Sequence, residues 1–194
     1  VTDLMGVPGL ISVEAGRVLR ELAGRVPSHL AIVELGSYRG RSTAYLASGA
    51  RRPEGVERAP VYAVDAWSPD VDAWSREIAP ATIDEFRSNL ASVGLGSHAI
   101  PVQGLTTDAG RSYTGPPVGL LFIDADHTCT AALADFAAWR DHLAVGAHVV
   151  WDDFGTRNNP GVGAAVAELL HGRRLRLVDV AADRLAICQW RGST

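Results

Sequence analysis

Lysine is absent. All 18 basic residues of the 194-residue chain are arginine, which excludes chemistry that needs a lysine amine: a Schiff base, a P-loop phosphate contact or a lysine general base. Cysteine is scarce. Cys129 and Cys188 are too few for a disulfide framework or a zinc cluster, and they suit a reduced, cytoplasmic protein. No apolar run approaches the roughly 18 residues of a membrane-spanning helix, and no secretory leader pattern opens the chain, so no membrane partner is expected. Basic charge is not in excess either. A net charge of -4 argues against a broad nucleic-acid footprint. What remains is ordinary globular material, 47% hydrophobic and 21% charged, at a length that suits a single domain over 1–194.

Apolar runs alternate with helical patterns, as in an α/β doubly wound parallel sheet. Within an N-terminal helical segment (1–28), Ser12 is expected to cap a helix carrying Val13, Val18, Leu19 and Leu22. Strands are expected at 30–35, 61–65, 99–102, 118–124 and 147–151. Helices are expected at about 41–49, 82–93, 106–112, 128–143 and 161–170, the fourth with Leu133, Phe136, Ala137 and Leu143 on one side. Two more apolar segments, 174–180 and 184–190, are joined by Ala181-Ala182-Asp183. That connection is too short for a helical crossover and predicts an antiparallel hairpin. The expected architecture is a Rossmann-like, seven-stranded sheet, mostly parallel, with an antiparallel C-terminal hairpin. The polar, proline-containing stretch 66–82 reads as a loop or lid.

Three segments carry candidate chemistry. The first is Val33-Glu34-Leu35-Gly36-Ser37-Tyr38-Arg39-Gly40, between a strand and a helix. Gly36 permits a sharp turn and Gly40 a close approach. The G-x-x-x-G spacing differs from the dinucleotide fingerprint, which disfavours NAD, and taken alone it is as readily an ordinary turn. The second is Asp65, at the end of the second strand. An acid there can accept from both hydroxyls of a ribose, or simply sit in water. The third is Phe122-Ile123-Asp124-Ala125-Asp126-His127 together with Trp151-Asp152-Asp153. If their strands are neighbours, three carboxylates converge and repel one another. A hard cation such as Mg²⁺ would resolve the repulsion. The alternative is that Asp126 or Asp153 caps a following element and the charges are hydrated. His127, beside the same strand end, is suited to accept a proton near neutral pH. Trp67, Trp74 and Phe154 are candidates to wall a pocket or to pack conventionally, and Trp139 and Trp190 are expected in the core. The polar loop 156–159 either grips a substrate or connects elements.

These segments, with Gly146-Ala-His-Val-Val-Trp-Asp-Asp-Phe154 and Asn159-Pro-Gly-Val162, resemble class I S-adenosylmethionine-dependent methyltransferases. The likeness runs from about residue 8 to residue 190. Within that class it is nearer to the metal-dependent O-methyltransferases of the catechol and caffeoyl-CoA type and of the macrolide-sugar type. The resemblance implies a cofactor site at Glu34, Gly36, Ser37, Tyr38, Gly40 and Ser42, at Asp65, Ala66 and Trp67, at Gly104 and Thr106, and at Asp124. It implies a Mg²⁺ site at Asp124, Asp152 and Asp153, with His127 as general base where catechol-type enzymes carry lysine. Asp153 stands where the catechol type has asparagine, as in macrolide-type relatives. The implied activity is O-methylation of a small hydroxylated acceptor, natural-product or sugar-like, in a protein that can form homo-oligomers. Methylation of nitrogen or carbon without a metal, or a non-catalytic cofactor-binding partner with the same fold, are the alternatives. Because the sequence is shorter than either subgroup, the pocket is expected to be closed by residues 1–15, by 66–82 and the loop after Asp153, or by a second subunit.

Overall fold

The computed structural model describes residues 4–68 and 80–192. Trp74 and most of the expected lid lie outside the described residues. Helix α1 (Val13–Gly24) starts where its cap predicts: the Ser12 hydroxyl accepts from the Ala15 N–H at 3.1 Å. Helix α2 (Arg41–Ala50) packs closely on α1 because glycines stand at both contacts. A Cβ on Gly16 would lie 2.3 Å from the Tyr45 ring, and one on Gly49 would lie 2.1 Å from the Arg20 carbonyl oxygen. Thr82 and Glu85 form a reciprocal capping box that opens helix α3 (Ile83–Ser92). Helices α4 (Thr106–Ser112), α5 (Cys129–Trp139) and α6 (Pro160–His171) follow.

Seven strands form one sheet among the described residues. They are β1 (Ala31–Leu35), β2 (Val61–Asp65), β3 (Ile100–Gln103), β4 (Val118–Ile123), β5 (Leu143–Trp151), β6 (Leu175–Ala181) and β7 (Leu185–Trp190). Their order is β3-β2-β1-β4-β5-β7-β6. The first five are parallel, and β7 enters antiparallel between β5 and β6, with Trp151 opposite Ala186. This is the Rossmann-like sheet the sequence predicts. Every residue of β1 and β4 is buried, as expected of parallel strands covered on both faces. Phe136, Trp139, Trp151 and Trp190 fill one face of the sheet, and Leu19, Leu22, Ile32, Leu46 and Phe122 fill the other. Trp139 and Trp190 are thus core residues. The strand order reverses between β1 and β4, the switch point beyond which such sheets bind ligands.

Two expectations need correction. Helix α5 ends at Trp139, a 3₁₀ turn spans Arg140–His142, and β5 already begins at Leu143. The pairing with β4 jumps from Val118–Leu143 to Leu120–His148 around Gly146, whose φ is +85°. A bulge of this kind hides the strand's alternation from a sequence reading. The inward face of α5 is also rotated. Ala132, Asp135, Phe136 and Trp139 are buried, whereas Leu133 is half-buried and Ala137 exposed. The large Trp139 ring sets the face, and its indole N–H donates to the Thr106 carbonyl at 2.9 Å.

No helix among the described residues is long and apolar enough to cross a membrane.

Candidate active site

The turn after β1 lies over the switch point. Gly36 has φ +88°, and a Cβ there would meet the Asp124 carbonyl oxygen at 2.1 Å. Only glycine lets the turn approach the end of β4 this closely. Tyr38 follows at φ +47°. Its N–H donates to Asp65 Oδ2 at 2.8 Å, while the Trp67 N–H donates to Asp65 Oδ1 at 2.7 Å. One carboxylate therefore ties together the loops leaving β1 and β2. The Trp67 indole adds a third tie, donating to the Tyr38 carbonyl at 2.8 Å and packing on Phe86 with ring centroids 5.0 Å apart.

Beyond these loops lies a cavity of about 560 Å³. Of the sequence-predicted residues, Gly36, Ser37, Tyr38, Ser42, Asp65, Ala66, Trp67, Gly104, Thr106, Asp124, His127, Asp152 and Asp153 all line it. Glu34 and Gly40 do not. Glu34 is wholly buried behind the turn, where Oε2 accepts from the Ser37 hydroxyl at 2.8 Å and from the Thr43 hydroxyl. Burial pushes its pKa up to about 7, against the lowering effect of the Ser42, Thr43 and Ser37 hydroxyls. Gly40 is the N-cap of α2 at φ +96°, against the Phe86 ring. Phe154 packs against the core rather than lining the cavity. In the polar loop, Asn158 and Asn159 reach the cavity. Gly9, Leu10 and Ile11 close part of the mouth. Arg41 holds them there, donating to the Val7 and Ile11 carbonyls at 2.7 and 3.2 Å.

The two acidic strand ends do converge, because β4 and β5 are neighbours. Asp124 follows β4, and Asp152 and Asp153 follow β5. Asp153 sits at φ +58°, a left-handed conformation that aspartate tolerates better than most residues. His127 Nε2 lies 3.0 Å from Asp153 Oδ2 and 3.6 Å from Asp124 Oδ1. The N-terminus of α6 presses on the same loop: a Cβ on Gly161 would lie 2.5 Å from the His127 carbonyl oxygen. Burial and the charge of Asp152 raise the proton affinity of Asp124. Burial alone would lower that of His127, but its bonds to Asp124 and Asp153 outweigh burial and raise it. The shared contacts thus favour a proton held between the imidazole and the carboxylates. Burial also acts on Asp153, but the hydrogen bond from His127 and the charge of Arg184 overcome it, keeping that carboxyl below its ordinary value.

Arg184 is the residue that sequence reasoning missed. Its Nε donates to Asp152 Oδ1 at 2.6 Å, and its Nη2 donates to Asp152 Oδ2 at 2.6 Å and Asp153 Oδ1 at 2.7 Å. Asn159 Nδ2 donates to Asp153 Oδ2. Every oxygen of this carboxylate pair therefore already faces an N–H donor, and the Arg184 guanidinium stands in competition with any divalent cation for them. Among the described residues no three His, Cys, Asp or Glu side chains are arranged to hold a metal ion. As arranged, the trio does not fit the metal. Asp135 was missed as well. It lies on the inward face of α5, lines the cavity and accepts from the Thr106 hydroxyl, and burial pushes its pKa up to about 6. An acid among the buried positions 132, 136 and 139 was its signal; Arg184 had none.

The parallel sheet with its reversed hairpin, the glycine turn and the anchored acid that ends β2 define a methyltransferase-type domain. A family model described as a methyltransferase domain matches residues 33–154, more than half of the chain. The chain belongs to that family and is a methyltransferase. Solved structures share its fold. An O-methyltransferase from Bacillus cereus in complex with S-adenosylhomocysteine is 19% identical, with a TM-score of 0.68 over 96% of this chain and 86% of that one. The O-methyltransferase TomG from Streptomyces achromogenes, involved in tomaymycin synthesis and solved with S-adenosylmethionine, is 20% identical, with a TM-score of 0.64 over 93% and 82%. A TDP-rhamnose 3'-O-methyltransferase of calicheamicin biosynthesis is 17% identical, with a TM-score of 0.62 over 100% and 80%.

Proposed function

We propose that the protein transfers a methyl group from S-adenosylmethionine to a hydroxyl oxygen of a small natural-product or sugar-like acceptor. The observation that carries this reading is Asp65. It is a carboxylate held by two backbone N–H groups beside a glycine turn, in the wall of a cavity that His127 also lines. The O-methyltransferase neighbours, two of them solved with S-adenosylmethionine or its product, support it. The residues present fit the cofactor. Gly36 lines the cavity without a side chain, and the carboxylate of Asp65 suits a ribose diol. When bound, S-adenosylmethionine supplies an electrophilic methyl group.

The chain's own residues then have three tasks. Gly36, Ser37, Tyr38 and Ser42 hold the amino-acid end, Asp65 the ribose, and Gly104, Thr106 and Asp135 the base end of the cavity. His127 takes the proton of the acceptor hydroxyl, and Asp124 and Asp153 stabilise the imidazolium that results. The walls fix oxygen and methyl in line, a proximity effect worth roughly 7–11 kcal/mol in favourable cases. The Mg²⁺ expected from the acidic trio has no step here, since Arg184, Asn159 and His127 engage the oxygens of Asp152 and Asp153.

Calorimetry with S-adenosylhomocysteine, followed by methyl transfer to a panel of hydroxyl, amine and carbon acceptors, tests the reading. Uptake and turnover on hydroxyls are expected. Folded protein without uptake would sink it; turnover confined to amines or carbon acids would replace it with N- or C-methylation. Uptake with no transfer to any acceptor would favour a non-catalytic role.

Only an unprotonated imidazole accepts a proton, and the pKa of His127 is held above its ordinary value. Turnover should therefore climb with pH on the alkaline side of neutrality. His127→Ala should lower kcat by about 10²–10⁴-fold and flatten that limb. A pH–rate profile matching wild type would remove His127 from the role.

A further inference from the structure

The acidic rim already contains a cation. All four oxygens of Asp152 and Asp153 face N–H donors: three contacts come from Arg184 at 2.6–2.7 Å, and Asp153 Oδ2 is met by Asn159 and by His127 at 3.0 Å. A bidentate guanidinium and a hard metal ion compete for the same carboxylate lone pairs. Nor is Arg184 a loose surface arm. It leaves a two-residue hairpin turn in which Ala182 and Asp183 both have positive φ, +51° and +56°, and its N–H donates to the Ala181 carbonyl at 3.2 Å. Its carbonyl accepts from the Phe154 N–H at 2.9 Å, so its backbone is tied to the segment that carries the two aspartates.

We propose that Arg184 is the resident cation of the acceptor site, neutralising Asp152 and Asp153 in place of a divalent metal and making methyl transfer metal-independent. The proposal rests on the O-methyltransferase reading. Nη1 makes no hydrogen bond among the described residues, and the side chain lines the cavity. On this proposal its two N–H groups donate to the acceptor oxygen, which a metal would otherwise polarise. A guanidinium stays protonated at any working pH, so it positions and polarises without taking the proton. That proton passes to His127. The acceptor oxygen forms the new carbon–oxygen bond while the donor's carbon–sulfur bond breaks, its electron pair remaining on sulfur.

The test uses the full chain. Wild-type protein loaded with S-adenosylhomocysteine is titrated calorimetrically with MgCl₂ and MnCl₂, and turnover is measured with and without EDTA. No sub-millimolar metal binding is expected, and turnover should be unchanged by chelator. Arg184→Met should lose turnover by about 10–100-fold, the worth of a charge-assisted hydrogen bond, while still taking up S-adenosylhomocysteine. Arg184→Lys should recover part of the loss. Metal uptake by the wild type, chelator-sensitive turnover restored by Mg²⁺, or wild-type turnover in Arg184→Met would each overturn the proposal. If Arg184→Met fails to fold, the wild-type titration and chelator assay decide alone. Absence of S-adenosylhomocysteine uptake would instead sink the methyltransferase reading, and the metal titration would still report on Arg184.

Discussion

Glu34 shows how a single buried group can constrain a binding turn. It is completely buried, Oε2 is bonded to two hydroxyls, and Oε1 has no hydrogen-bond partner among the described residues. Its folded-state pKa, raised from 4.5 to about 7, means that folding favours the neutral acid. The stability this gives is complete below the unfolded value and is lost as pH rises through about 7. Glu34→Gln cannot ionise. Its stability relative to wild type should therefore improve as pH rises from 4.5 to 7, measured by urea denaturation across that range. Parallel curves for the two proteins would assign the pH dependence elsewhere.

Helix α3 illustrates control at the level of an element. It does not line the cavity, yet its Phe86 supports both Gly40 and Trp67. Its start depends on the capping box between Thr82 and Glu85. Thr82→Ala should cost about 1 kcal/mol, which for a domain of this size lowers Tm by roughly 2–4 °C. Because Trp67 contacts both Asp65 and Tyr38, affinity for S-adenosylhomocysteine should fall alongside. Thermal melts and calorimetry on the same variant check both effects; a lowered Tm with unchanged affinity would separate the helix from the site.

The whole molecule is organised around its central strands. Each residue of β1 and β4 is buried and both neighbours are paired, whereas β3 and β6 are the sheet edges and β6 is largely exposed. Amide hydrogen exchange should be slowest in β1 and β4 and fastest among the strands in β6 and β3. Slow exchange in β6 would show that this edge is covered in solution. The arrangement also explains why the site lies where it does. Loops from the buried central strands hold Gly36 and Asp124, while the terminal hairpin brings Arg184 to the acidic residues.

Much of this was readable locally. Ser12 caps its helix because a short hydroxyl side chain satisfies one of the first free N–H groups. Largely apolar runs such as 31–35 and 118–123 read as buried strands, and Gly36 marks a turn no other residue makes comfortably. Periodicity and turn chemistry act over a few residues, so sequence alone sufficed for the α/β order, the hairpin and the cavity-lining loops. It could not show that Leu143 begins a strand, because the bulge at Gly146 interrupts the period. Nor could it show which oxygens of Asp152 and Asp153 are engaged. Arg184 lies 31 residues beyond Asp153 and reaches it only because β7 inserts antiparallel beside β5. Charge compensation depends on distance in space, and strand order, which no local pattern encodes, decided that distance.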